Sequence, residues 1–245
     1  LERVRAVAMG MMKADDMLSI CKTISQQLSL LGVKEIRNVQ TAIFYESKGT
    51  YMNYEYYTKY DKTFITDVDF KNHKIQLAFA KKMLKGPNEE VLEHLKGKKL
   101  QDWYAYQKTT NQFADNYLLN AHSLNYYWYS LGPVALGVST YYPLTKEETV
   151  LFKRFLKVFE LAYRRYLDIE KATAQAKEAQ IEAALERIRA RALAMHKSEE
   201  FSDVARVMRE QMGYLGQPEL ETSAVHLYDE DADTIFSWRA FRLSS

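Results

Sequence analysis

The sequence predicts an α+β fold, with strands gathered in pairs and helices grouped before, between and after them. Three observations carry that expectation. Two segments with the grammar of a β-hairpin recur far apart in the chain, an aromatic and an aliphatic segment near 123–142 form another strand pair, and no Gly or Pro interrupts the chain from Thr145 to Met212.

The elements follow in order. Residues 1–13 (LERVRAVAMGMMK) are helical in pattern, and Met17, Cys21, Ile24 and Leu28 continue an apolar face at helical spacing. Thr41–Glu46 and Tyr51–Thr58 are an apolar and an alternating segment joined by a polar turn, a hairpin signature. Residues 72–85 read as a helix stopped by Gly86-Pro87. Residues 88–121 read as further helices with loops. SLNYYWYSL (123–131) and VALGVSTYY (134–142) read as strands around Gly132-Pro133. Thr145 with Glu148 has capping-box spacing and opens the next helix.

An internal repeat organises the whole. LERIRARALAMHK (185–197) repeats residues 1–13, the match runs ungapped through Leu31-Gly32 and Leu215-Gly216, and about a third of the first 35 positions are identical. The hairpin grammar also recurs, as Ala224–Asp229 and Thr234–Phe241. A period this long is a tandem domain rather than a solenoid unit. The chain opens inside a helical pattern and closes soon after an apolar segment, so it reads as a piece of a longer protein.

Composition narrows the function. With 34 basic and 32 acidic residues the net charge of +2 gives no electrostatic footprint for nucleic acid or a membrane surface. The single cysteine, Cys21, excludes an intrachain disulfide framework and a four-cysteine zinc site. No apolar run approaches the roughly 18 residues that span a bilayer, and no signal peptide opens the chain. The expected location is cytoplasmic. The 18 tyrosines suit a half-wet cavity or a broad interface.

If continuous, the Gly- and Pro-free stretch is on the order of 100 Å long, so part of it must connect domains. Phe152, Phe155, Phe159, Ala162, Tyr166, Ile169, Thr173 and Ala176 recur at alternating spacings of three and four, a coiled-coil seam. The seam then moves to Ile181, Ala184 or Leu185, Ile188 and Met195, with a stutter near Gln180. A parallel homodimer through this helix and a stiff solvated spacer both fit. Ser198 with Glu199-Glu200 marks a new N-terminus, so a break is expected near His196–Ser198.

EAQIEAALERIRARALAMHKSEEF (Glu178–Phe201) resembles the inter-domain linker of bacterial, Bacteroidetes-type sensor histidine kinases with tandem GAF-like domains, and Leu151–Gln180 resembles the closing helix of those domains. The likeness covers 145–245 and the first 35 residues. It implies a central antiparallel sheet, long helices on one face, a small-molecule pocket or its remnant on the other, and a kinase or other output module later in the chain. The resulting boundaries are an upstream linker helix at 1–14, a GAF-like domain at 15–170, a signalling linker helix at 171–198 and an incomplete second GAF-like domain at 199–245. A phosphoacceptor motif is absent at His196, as are an ATP lid and the Asn-Lys-Phe-Asp-Glu set of cyclic-nucleotide GAF domains. A two-component sensory or relay module without enzymatic activity is therefore expected, with a structural dimerisation spacer as the alternative. A small enzyme using His122 or His73 as base ranks below both.

Aromatic and small side chains supply the candidate site. Tyr54 and Tyr56 share one strand face, as do Tyr126 and Trp128. Gly137 and Ser139, with Ala135 and Tyr141, alternate with bulky aliphatics and suit a pocket floor, and Trp103 and His122 suit its lid. The same pattern also fits a filled core. No metal site or cofactor is expected, and an unidentified small-molecule ligand is possible. Asp229-Glu-Asp231-Ala-Asp233 imitates a calcium loop but has Thr234 and Ala240 where Gly and Glu are needed, so it reads as a hairpin turn.

Overall fold

A computed structural model describes residues 1–242; the side chain of Ala162 and residues 243–245 lie outside the described residues. The chain divides into two compact units, Leu1–Asp168 and Ile169–Ser245.

The first unit opens with α1 (Glu2–Met9), a short 3-10 turn at Ala14–Asp16, and α2 (Met17–Leu30). α2 buries Met17, Ile20, Cys21, Ile24 and Leu28, a stripe at helical spacing. It stops at Gly32, whose φ of 96° suits glycine, and Val33 N–H closes back on Leu28 C=O at 3.0 Å. Residues 1–14 are part of this unit, with Val4, Ala8 and Met11 buried in the same core as α2.

The sheet has six antiparallel strands in the order β3-β2-β1-β6-β5-β4, built from β1 (Ile36–Tyr45), β2 (Thr50–Tyr57), β3 (Lys62–Asp69), β4 (Pro87–Leu95), β5 (Leu124–Leu131) and β6 (Val134–Thr140). Between them lie α3 (Lys74–Met83) and α4 (Gly97–Lys108). Two strands depart from the sequence reading. Lys62–Asp69 is a strand it does not assign, and Pro87–Leu95, expected as helix, is an edge strand on β5. Glu, Leu and Lys give 88–99 a helical composition, but the aromatic edge of β5 offers Val91 and Leu92 partners at Trp128 and Tyr127. Pro87 sits at the strand's first residue, where its missing N–H costs nothing.

One face of the sheet presents Val39, Ile43, Tyr54, Tyr56, Tyr129, Val134, Leu136 and Val138 to the helical core. α5 (Lys146–Leu193) begins with the expected capping box, Thr145 N–H to Glu148 Oε2 at 2.8 Å and Glu148 N–H to Thr145 Oγ1 at 3.1 Å. Its Phe152, Phe155 and Phe159 are fully buried in that core. This corrects the dimer-seam assignment at these positions: a stripe at spacings of three and four also suits a helix lying on its own sheet, and the rings here face their own chain. Tyr166 is buried in the same cluster and Ile169 is half-buried; Ala162 lies outside the described residues.

The second unit repeats the opening of the first. α5 ends at Leu193, just before the expected break; a 3-10 turn at Ser198–Glu200, α6 (Phe201–Tyr214), β7 (Thr222–Asp229) and β8 (Thr234–Phe241) follow. Gly216 has the same φ of 96° as Gly32, and Gln217 N–H returns to Met212 C=O at 3.0 Å. The β7–β8 turn holds Asp229–Asp233, where Ala232 N–H bonds Asp229 Oδ1 at 3.1 Å. Arg191 ties this part of α5 to Asp203 (2.7 Å) and Glu200 (3.3 Å).

Candidate functional site

The sheet face opposite the α2 core carries a cavity in the first unit. It offers about 60 Å³ to the centre of a water-sized sphere. One ordered water needs roughly 10–15 Å³, so there is room for several waters or one small organic molecule. β1 supplies Arg37 and Gln40; β2 supplies Tyr51, Asn53 and Glu55; β5 supplies Tyr126 and Trp128. α3 contributes Ile75, Gln76 and Phe79, α4 contributes Trp103 and Gln107, and Gln112 with Val91, Glu93 and Leu95 of β4 complete the wall.

The backbone explains why these side chains meet. Ile36 and Val39 belong to the helical core, yet only two residues separate them. The register with β6 slips between Ile36 and Asn38, a bulge that inserts one extra residue and lets Arg37 and Asn38 both join the cavity-side network. On β2, Tyr51, Asn53 and Glu55 line the cavity, and the alternate Tyr54 and Tyr56 join the helical core.

The polar groups are deeply buried. Arg37 Nε donates to Asp115 Oδ2 at 2.8 Å, and both side chains are almost wholly excluded from solvent. Asp115 also accepts from Tyr141 Oη (2.7 Å), Tyr60 Oη (2.9 Å) and Tyr117 N–H (3.0 Å), so the charge of Arg37 is matched by a fully hydrogen-bonded carboxylate. Glu55 Oε1 accepts from Asn38 Nδ2 and Tyr57 Oη, each at 2.9 Å. Burial pushes the Glu55 carboxyl up to about 7, against the opposing pull of Arg37 and these hydrogen bonds. Asn38 and Asn53 also donate to Gln40 Oε1, each at 3.3 Å.

Six wall residues each keep a buried polar atom with no hydrogen-bond partner among the described residues: Arg37 Nη2, Gln40 Nε2, Asn53 Oδ1, Glu55 Oε2, Gln76 Oε1 and Gln107 Oε1. Buried polar groups are nearly always paired, and each orphan costs about 1–3 kcal/mol. Their concentration on one cavity wall leaves that wall with unmet donors and acceptors facing the enclosed space.

The residues predicted from sequence divide as follows. Trp103, Tyr126 and Trp128 line the cavity, with Trp103 Nε1–H donating to Tyr126 Oη at 3.0 Å. Tyr54 and Tyr56 do not; they pack toward α2, because alternation fixes which residues share a face but not which face is open. Gly137 is not an open floor: a Cβ there would stand 2.5 Å from Trp128 Cδ2, so the indole already occupies that space. Ser139 donates to Asn38, and Tyr141 to Asp115, each holding the network from behind rather than lining it. His122 is exposed and outside the cavity wall, so it is no lid residue. His73 caps α3 through Nδ1, which accepts from Ile75 N–H at 3.3 Å, and stacks on Tyr106. The missed residues are Arg37, Gln40, Asn53, Glu55, Gln76 and Gln107. Asn38 and Gln40 inside one apolar strand, opposite Asn53 and Glu55 in the next, were the available signal.

Among the described residues no three His, Cys, Asp or Glu side chains are grouped to hold a metal ion, and no helix is long and apolar enough to cross a membrane. No protein-family model matches the chain, and no curated protein matches its sequence.

Proposed function

We propose that residues 1–168 are a non-enzymatic small-molecule sensory or signal-relay module of a multidomain, cytoplasmic signalling protein of the sensor histidine kinase type. The observation that carries this reading is the cavity wall with six orphaned buried polar atoms. The arrangement of helices on one sheet face and a cavity on the other fits what the likeness to GAF-like domains implies.

A route from cavity to helices runs through two strands. On β1 and β2, Gln40, Asn53 and Glu55 line the cavity while Val39, Tyr54 and Tyr56 pack into the core shared with α2 and Phe155. A ligand that fixes the polar side chains restrains the same backbone that carries the helical core. It shifts the output only if it binds two arrangements of that core differently. The homodimer is proposed on the connecting part of α5, where residues 170–180 are exposed in a single chain. A downstream kinase or other output domain belongs to the same proposal.

A second reading, a structural spacer without ligand, is favoured by Trp128 filling the space above Gly137. A thermal-shift screen of fractionated small-molecule extract separates the two, because a ligand confined to the native state must raise its stability. The sensory reading expects a fraction that stabilises the wild type and not Val91→Trp, which puts an indole in place of a small wall residue. A screen with no such fraction leaves the spacer.

A further inference from the structure

The chemistry of the cavity wall is lopsided, and the imbalance describes the ligand. Four of the orphaned atoms are acceptors, Asn53 Oδ1, Glu55 Oε2, Gln76 Oε1 and Gln107 Oε1; two are donors, Arg37 Nη2 and Gln40 Nε2. Gln40 Oε1 accepts from Asn38 and Asn53, which turns Gln40 Nε2 and Asn53 Oδ1 to the unpaired side. A complementary guest is rich in N–H donors and carries one acceptor.

Charge points the same way. Arg37 is the cation of the wall, and Asp115 already matches it at 2.8 Å. Glu55 has no cationic partner within salt-bridge distance among the described residues, and Glu93 stands exposed at the rim. The remaining surface is aromatic: Trp128, Trp103, Tyr51 and Phe79 present ring faces and edges around the same space. Carboxylates and aromatic rings together favour a desolvated ammonium over an anion or a neutral hydroxyl compound.

We propose that the cavity binds a small ammonium-bearing molecule with one acceptor oxygen, its N–H groups serving Glu55 and the amide oxygens of β2, α3 and α4, its oxygen received by Arg37 and Gln40. This rests on the small-molecule reading of the site and specifies the ligand class. The volume holds a body of a few heavy atoms, so a compact amino amide or amino acid fits better than a long polyamine.

The test uses the full 245-residue chain and three matched compounds at neutral pH, followed by calorimetric titration: L-alaninamide, lactamide (hydroxyl for ammonium) and acetate. Alaninamide is expected to bind at least about tenfold more tightly than lactamide, the ratio that a charge-assisted hydrogen bond supplies. Glu55→Gln keeps an oxygen for Asn38 and Tyr57 and should erase that preference. Gln107→Leu, which removes one acceptor and no charge, should weaken alaninamide by about threefold and leave lactamide unchanged. Equal or tighter binding of lactamide or acetate overturns the ammonium assignment and leaves small-molecule binding standing. If none of the three binds, the ammonium assignment also falls. The broader sensory reading falls with it only if the extract screen yields no ligand.

Discussion

Glu55 gives the site a pH signature that can be worked from its surroundings. The carboxyl is faced by Arg37 and Asn38 of β1, Tyr57 of β2, Tyr126 of β5 and, beyond Arg37, Asp115. Burial raises it from 4.5 to about 7. In the unfolded chain it ionises near 4.5, while the folded protein holds the proton until about 7, so the folded state binds more protons throughout that window. Stability must then fall as pH rises from 4.5 toward 7 and level off above it. At about 1.4 kcal/mol per pH unit the loss accumulates to about 3 kcal/mol. Glu55→Gln removes the titration, so its stability relative to the wild type should climb by about 3 kcal/mol across the same window. Urea unfolding of both proteins followed by tryptophan emission, at intervals from pH 4.5 to 8, measures the difference, and the subtraction cancels other titrating groups. Parallel pH profiles for the two proteins would refute the argument.

Three further outcomes follow from the packing. Gly137→Ala brings a Cβ within 2.5 Å of the Trp128 indole; displacing the ring should cost about 1–3 kcal/mol and red-shift tryptophan emission, and an unchanged melting temperature would contradict that placement. Phe155 is fully buried within one chain, so Phe155→Ala should cost about 3–5 kcal/mol, and Phe155→Glu should unfold the first unit; a folded monomer released by Phe155→Glu from a wild-type dimer would restore the intermolecular seam. Cys21 lies wholly buried with its thiol pushed up to about 12 by burial, beside Thr41 Oγ1 at 3.4 Å; iodoacetamide should label it only in denaturant, and rapid labelling of the native chain would show the α2 face to be open.

Much of the frame was legible because local rules and the fold agree. Gly32 and Gly216 end their helices with the same φ, as the ungapped repeat requires, and Thr145 with Glu148 opens α5 as its spacing predicts. The cavity was legible only in its aromatics. Tyr51, Tyr54, Tyr56 and Tyr57 occur on both faces of β2, so ring content could not say which face is open. Arg37 was hidden by a bulge, which breaks the period-two rule at the residue that brings the wall's cation into the site. The edge strand Pro87–Leu95 has a helical composition overridden by tertiary pairing. The Phe152, Phe155 and Phe159 stripe is the converse case: the helix was read correctly, but the same periodicity serves a partner helix or its own sheet, and only the fold decides.

The central claim is that the cavity beneath α3 and α4 is a small-molecule site. Its most direct test is the 15N–1H spectrum of side-chain amide and indole N–H groups, recorded with and without the most strongly stabilising compound. The account predicts shifts at Gln40, Asn53, Gln76 and Gln107 and at the indoles of Trp103 and Trp128, with Trp238 of the second unit unmoved. Saturating compound that leaves those six signals in place, or moves only Trp238, would contradict it.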